Sequence, residues 1–321
     1  MHGQLLKVPF VLYLVNFFDG HRRLHNPAEI LSDLHILYRG LHCLSQHQLV
    51  MGGADEREAA EAEGWCEVFI SHEAPATKSV ADAVQLGLSV LLLHNLAMDA
   101  EREELLCAGV RAAQEERLLT LLRGSNGRAH KSIPGRIRLP VRERLDLPSQ
   151  HLCDTLLLRS LSLLQTLHGS LMKNLFDGCL NCNTVLANKK LRFADGEPAV
   201  NVYTKGGEFK PHEDGQSLTI LMPLSHPLSF TGGGTGFWSR EDCGEAGTHA
   251  CIGNVQHSKP TVVLQPPAGT AIIFAGQLTH AGQRVEWGER IVFVSSFSPL
   301  SDAEDLSQGT PDQLAPLFFD E

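Results

Sequence analysis

No second C-x-x-C pair accompanies Cys179-Leu-Asn-Cys182, and the 321 residues contain only eight cysteines. A zinc knuckle needs two such pairs. Cys243, His249 and Cys251 follow, but their spacing does not make a zinc hairpin. The density is also too low for a disulfide scaffold, so the thiols read as reduced structural residues. A basic excess is missing too. The formal net charge is −10, which excludes a chain built to grasp phosphate backbones non-specifically. No apolar run is long enough to cross a bilayer. VPFVLYLVNFF at 8–18 follows Lys7, yet Asp19-Gly20-His21-Arg22-Arg23 stands where a small-residue cleavage site would be. That run reads as a buried segment of the fold and the chain as cytoplasmic. Secretory or organellar entry through this run is the alternative. A 34-residue period is absent, which excludes a tetratricopeptide array.

What is present is an ordinary globular composition, 43% hydrophobic and 20% charged. Residues 1–150 read as a largely helical N-terminal region. Asn26-Pro27 caps a helix with Ile30, Leu31, Leu34, Leu37, Leu41 and Leu44 on one face. Asp55 to Trp65 reads as a short acidic helix. Thr77–Leu96 and Asp99–Leu122 read as an antiparallel helical pair. Glycine and proline punctuate 123–150, which reads as a linker. Its arginines, from Arg123 through Arg136, Arg138, Arg142 and Arg144, read first as a solvated connector and second as a basic lip for an acidic substrate. Leu152–Phe176 is another helix. The texture then changes to short β-rich runs at Ala199–Thr204, Leu218–Leu224, Leu228–Phe230, Thr261–Gln265, Thr270–Phe274 and Arg290–Phe297. Runs at this spacing predict a sandwich or barrel, in a second region spanning 151–321.

His212-Glu213-Asp214 lies among these runs. In extended chain, residues i and i+2 share a face, so the imidazole and the carboxylate can reach one point. Either residue alone would read as part of a polar turn before Gly215. Two histidines and one carboxylate make a facial triad that holds Fe(II) with positions left open. His280, between two strand-like runs, is the candidate third ligand. Arg290 begins the strand RIVFVSSF. A guanidinium at the head of a buried strand needs an anion, and a dicarboxylate would supply one.

These pieces resemble, in order, the iron(II)- and 2-oxoglutarate-dependent dioxygenases, and within them the prolyl 4-hydroxylase-like branch. The series begins with Tyr203-x-x-Gly206-x-x-Phe209-x-x-His212-x-Asp214, then Leu218-Thr219-Ile220-Leu221. It continues with Gly233-Gly234-Thr235-Gly236-Phe237 and Pro267-x-Gly269-Thr270-Ala271-Ile272-Ile273-Phe274. It closes with His280-Ala281-Gly282-x-x-Val285-x-x-Gly288-x-Arg290. The resemblance covers 199–298 and implies an α+β chain with a double-stranded β-helix (jelly-roll) core. It implies that His212, Asp214 and His280 bind Fe(II). Arg290 would hold the far carboxylate of 2-oxoglutarate, with Tyr203 and Thr235 as further cosubstrate contacts. O2, and ascorbate as an accessory reductant, complete the cofactors. The implied reaction is hydroxylation of a C–H bond, on a prolyl or other protein side chain or on a small molecule. No nucleic-acid partner is expected.

The chain departs from the family pattern in two places. Met222-Pro223 stands where aromatic residues are common, so a tyrosine often used for the cosubstrate is missing. Residues 239–260 form an insertion that is either a lid or an idle loop. His226, His249 and His257 are loop histidines or substrate contacts. Two rival functions remain: a catalytically inactive binding or scaffold protein, and a cupin-type metal enzyme that uses no 2-oxoglutarate.

Overall fold

A computed structural model describes residues 64–71, 79–123, 134–176, 185–186, 190–239 and 258–300. All lie in one compact unit, Ala54–Glu321; the other unit, Met1–Gly53, is outside the described residues. Also outside them are the apolar run 8–18, the helix at 26–44, Cys179 and Cys182, most of the 239–260 insertion, and His249 and His257.

The elements follow one another as β1 (Trp65–Phe69), α1 (Val80–Gln85), β2 (Ser89–Leu93), α2 (Asp99–Arg123), β3 (Arg136–Pro140) and α3 (Val141–Arg144). Next come α4 (Leu147–Leu167), α5 (Gly169–Phe176), β4 (Leu191–Phe193), β5 (Ala199–Tyr203), β6 (Phe209–His212) and β7 (Leu218–Pro223). A 3-10 turn (Pro227–Ser229) leads to β8 (Phe230–Gly232), β9 (Thr235–Phe237), β10 (Val262–Leu264), β11 (Ala271–Phe274), β12 (His280–Gly282), β13 (Val285–Gly288) and β14 (Arg290–Pro299).

The large sheet runs β1-β2-β11-β7-β14-β5-β3, with β4 on the far end of β14. The smaller sheet runs β10-β9-β12-β6, and β13 pairs with β8. From β5 onward the chain crosses back and forth between the two larger sheets, with β9 and β10 adjacent in the smaller one and β8 and β13 paired apart, and every pairing is antiparallel. That alternation makes a jelly-roll core. Side-chain period then sorts the strands by face. In β14, Ile291, Phe293 and Phe297 pack with the helices, whereas Arg290 and Val292 face the smaller sheet. The outward layer also takes Leu156, Leu157, Leu161 and Leu164 of α4, all fully buried. Each such side chain contributes about 1.5–3 kcal/mol by leaving water.

Local chemistry fits these elements. Asp146 caps α4 by accepting from Ser149 N at 3.0 Å, with Pro148 in the first turn. Arg159 of α4 grips Glu101 of α2 with two bonds of 2.7 Å and donates to Leu96 O, tying both helices to the sheet. Cys66, Cys107 and Cys153 form no disulfide among the described residues.

The expected helix at Thr77–Leu96 is corrected. Its first part is α1, but Gly87 turns at φ +67° and Ser89–Leu93 is a strand with all five residues buried. A short apolar run buried on both faces carries no period that separates strand from helix. Trp65, expected to end an acidic helix, opens β1. The linker expected at 123–150 contains β3, whose Ile137 and Leu139 pack with the helices while Arg136 and Arg138 take the other face. β1, β2 and β3 share the large sheet with β5, β7, β11 and β14, so no break in the sheet falls at the boundary expected at 150. The described part of the N-terminal half is therefore mixed rather than largely helical. The helix expected at Leu152–Phe176 breaks at His168 (ψ 53°), before Gly169. Leu228–Phe230 is mostly the 3-10 turn, and His226 caps it by accepting from Leu228 N.

Candidate metal centre

His212 ends β6 and His280 begins β12, directly opposite each other in the ladder. Opposed residues share a face, and their rings lie 4.3 Å apart. Asp214 follows in extended chain, held by its N–H on Gly276 O at 2.8 Å. Its Oδ1 lies 3.3 Å from His212 Nε2 and its Oδ2 lies 3.6 Å from His280 Nε2. One donor atom from each of the three residues falls within 4.8 Å of the others. Glu213, between the two ligand candidates, accepts from Thr279 Oγ1 instead.

Surrounding groups orient these donors. Nδ1 of His212 sits 2.9 Å from Lys210 O, and Nδ1 of His280 sits 2.9 Å from Leu278 O. A ring nitrogen against a carbonyl carries the proton, so each Nε2 is left with a free lone pair. Thr219 Oγ1, fully buried on β7, donates to Asp214 Oδ2 at 2.5 Å. Phe209, Phe237 and Phe274 wall the rings. Burial alone would raise the Asp214 pKa. His280, then His212 and the bond from Thr219, outweigh burial and hold Asp214 well below the carboxylate range. Burial pushes His280 down to about 4, with Asp214 opposing and His212 adding to the shift. Two histidine Nε2 nitrogens and one carboxylate are the donor set of a divalent transition metal.

Arg290 stands on the same inner face and is 3% exposed. It faces Tyr203 across the β14–β5 ladder, with its guanidinium 5.5 Å from the Tyr203 ring centroid. Its Nη2 donates to Thr235 Oγ1 at 3.0 Å, and it has no carboxylate partner among the described residues. Burial lowers its pKa. Gly233 makes room for it: a Cβ there would meet Arg290 Cδ at 3.1 Å and Phe230 Cε2 at 3.0 Å, at φ +68°. Thr235 pairs with Gly282, two residues along β12 from His280. Arg290 thus lies roughly 7 Å along the strand direction from the three donors. Asn201 Oδ1 and Ser296 Oγ, both buried, have no hydrogen-bond partner among the described residues.

Residues 198–297 match the sequence profile of the 2OG-Fe(II) oxygenase superfamily. The chain carries this superfamily match over β5 to β14. It is a 2-oxoglutarate-dependent dioxygenase, and its cofactors are Fe(II) and 2-oxoglutarate. No curated protein matches this oxygenase in sequence. Among solved structures it is similar to a viral collagen prolyl hydroxylase from Paramecium Bursaria Chlorella virus-1, at 16% identity over 72% of this chain and 98% of that one, TM-score 0.39. It is also similar to HygX from Streptomyces hygroscopicus with nickel, 2-oxoglutarate and hygromycin B bound, at 14% identity over 68% and 85%, TM-score 0.42. A third similar structure is a prolyl hydroxylase from Trichoplax adhaerens in complex with a hypoxia inducible factor peptide fragment, at 13% identity over 73% and 99%, TM-score 0.37.

In this oxygenase the structure brings His212, Asp214 and His280 together, and sets Arg290 beside Tyr203 and Thr235. Two further residues escaped the reading of the sequence. Thr219 lies inside a strand, where its inward alternation is the available signal. Arg136 falls in the stretch expected as a linker, although R-I-R-L alternates with period two. No helix among the described residues is long and apolar enough to cross a membrane.

Proposed function

We propose that this oxygenase hydroxylates a C–H bond of a protein side chain, in the manner of the prolyl 4-hydroxylase-like branch. His212, Asp214 and His280 hold the iron. Arg290, assisted by Thr235 and Tyr203, takes the far carboxylate of 2-oxoglutarate. The observation that carries this reading is the convergence of two histidine Nε2 atoms and one carboxylate beside a buried arginine that has no carboxylate partner among the described residues. The span of roughly 7 Å between them suits a short dicarboxylate anchored at both ends. Bound iron with 2-oxoglutarate supplies the oxygen-activating chemistry, coupled to loss of carbon dioxide and formation of succinate.

The protein's own residues set geometry and polarity. The carbonyls of Lys210 and Leu278 hold both imidazoles in the ligating tautomer. Thr219 pins the carboxylate. Phe237 and Phe274, both fully buried, keep water from the His280 side of the site, which strengthens charge interactions there.

The test is succinate release with Fe(II), O2 and 2-oxoglutarate, alongside a mass-spectrometric search of a cell extract for +16 Da products. Asp214→Ala and His280→Ala are expected to abolish both signals. Full turnover in either variant would remove that residue from the ligand set.

A further inference from the structure

The basic segment holds a cation that the proposed chemistry does not use. Arg138 pairs with Glu197 at 2.9 Å, Arg142 with Asp154 at 2.6 Å and Arg144 with Glu116 at 2.9 Å. Arg136 has no carboxylate and no hydrogen-bond partner among the described residues, and its Nε is buried. It is neither a helix-surface charge nor a free linker residue. β3 holds it directly opposite Tyr203, on the other side of that tyrosine from Arg290.

Its guanidinium carbon lies over the Phe209 ring, 3.7 Å from the centroid, and the Phe209 ring is 4.0 Å from the His212 ring. The ring covers one side of the guanidinium carbon. What remains is the planar edge, the part that binds a carboxylate through two parallel N–H bonds. Desolvation is the main cause lowering its pKa, with Arg138 adding to it, while Tyr203 and Glu197 oppose.

The surroundings add positive charge. Gly135 O accepts from Thr204 N, which seats the Thr204–Gly207 turn beside Arg136. Arg284 Nη2 lies 3.7 Å from where a Gly206 Cβ would sit, and Lys205 is exposed on the same turn. Glu208 is the acidic residue on this stretch, so the three basic groups outnumber it. In a chain of net charge −10, such a rim is a local reversal of sign.

Arg136 and Arg290 stand two strands apart, roughly 10 Å. One cosubstrate leaves one carboxylate free, and Arg290 is placed for it. We propose that Arg136 anchors a carboxylate of the substrate itself, next to the carbon that reacts, so that the oxygenase selects an acidic substrate. The carboxylate is either an acidic side chain in a protein segment or the free acid of a small molecule. This inference rests on the reading of the metal centre above.

The probes are two fluorescein-labelled sixteen-residue peptides, one alternating Pro-Glu and one alternating Pro-Gln. Each is titrated by anisotropy into the full-length protein with Mn(II) and saturating 2-oxoglutarate. The wild type is expected to bind the Glu peptide about tenfold or more tightly than the Gln peptide, the scale of a charge-assisted bond. Arg136→Gln is expected to bring the two to parity, Arg136→Lys to keep part of the preference, and Arg142→Gln to keep it all. Glutarate that displaces the Glu peptide at matched carboxylate concentration assigns the site to small acids; failure to displace it assigns the site to an acidic protein segment. Parity in the wild type, including no binding of either peptide, overturns the proposal, as does a preference that survives Arg136→Gln. Weakened 2-oxoglutarate binding in Arg136→Gln would move the residue to the cosubstrate and overturn it too. Failure of the metal-centre reading is separate, because it would show as absent succinate while the Glu preference stands.

Discussion

Thr219→Val removes one hydroxyl and keeps the β-branched shape of a strand residue that is fully buried. That hydroxyl is the donor to Asp214 Oδ2 at 2.5 Å. Without it, the proposed ligand carboxylate is no longer held with Oδ1 toward His212 and Oδ2 toward His280. A hydrogen bond to a charged group contributes about 1.5–3 kcal/mol net. Loss of a group that orients a metal ligand costs about 10- to 100-fold in affinity, equivalent to roughly 1.4–2.7 kcal/mol. The two scales agree. Anaerobic calorimetric titration of Fe(II), or of Mn(II) as a stable substitute, should therefore show Thr219→Val weakened by about one to two powers of ten. Thr219→Ser keeps the donor and should stay close to the wild type. An unchanged metal affinity in Thr219→Val would refute the reasoning, and so would an equal loss in Thr219→Ser, which would point to packing.

Three other outcomes are expected. Arg290→Gln should weaken 2-oxoglutarate binding by about 2–4 kcal/mol, roughly 30- to 1000-fold, with Arg290→Lys between it and the wild type; this follows from proposing that cation as the carboxylate anchor, and calorimetry with Mn(II) present checks it. Phe297→Ala should destabilise the fold by about 3–5 kcal/mol in urea, because Phe297 is fully buried with Phe176 and Phe193 against it. Burial raises the Glu67 pKa, and the bond from Ser89 Oγ offsets this only in part, so ionised Glu67 costs stability above its unfolded value. Glu67→Gln should then raise Tm at pH 7 by roughly 1–2 °C, discounted for partial exposure, with the gain fading as pH falls to about 4; a gain constant across that range would contradict the cause.

Much of the site was legible because its signals are local or carried by ordered spacing. H-x-D in extended chain puts two donors on one face whatever the rest of the fold does. An arginine opening an apolar strand announces a missing anion. Thr219 and Arg136 were not legible in that way. A threonine inside a strand reads as β propensity, and an arginine among prolines and glycines reads as solvated. Their roles come from neighbours on other strands: Asp214 for the first, Tyr203 and Phe209 for the second. The same limit explains Ser89–Leu93. Leu91 and Leu93 pack on the helices while Val90 and Leu92 face the smaller sheet, and a segment apolar on both sides has no period to read.

The sequence by itself pointed to the candidate ligand set, the order of the strands that carry it and the oxygenase match over residues 198–297, since those depend on residue type, alternation and spacing. Only the tertiary structure decided that residues 65–140 contribute β1, β2 and β3 to the large sheet, that His280 stands opposite His212, and that Arg136, near the proposed iron site, has no hydrogen-bond partner for its Nε among the described residues. Strand partners lie far apart along the chain, and nothing in a strand's own side chains names the strand it will pair with.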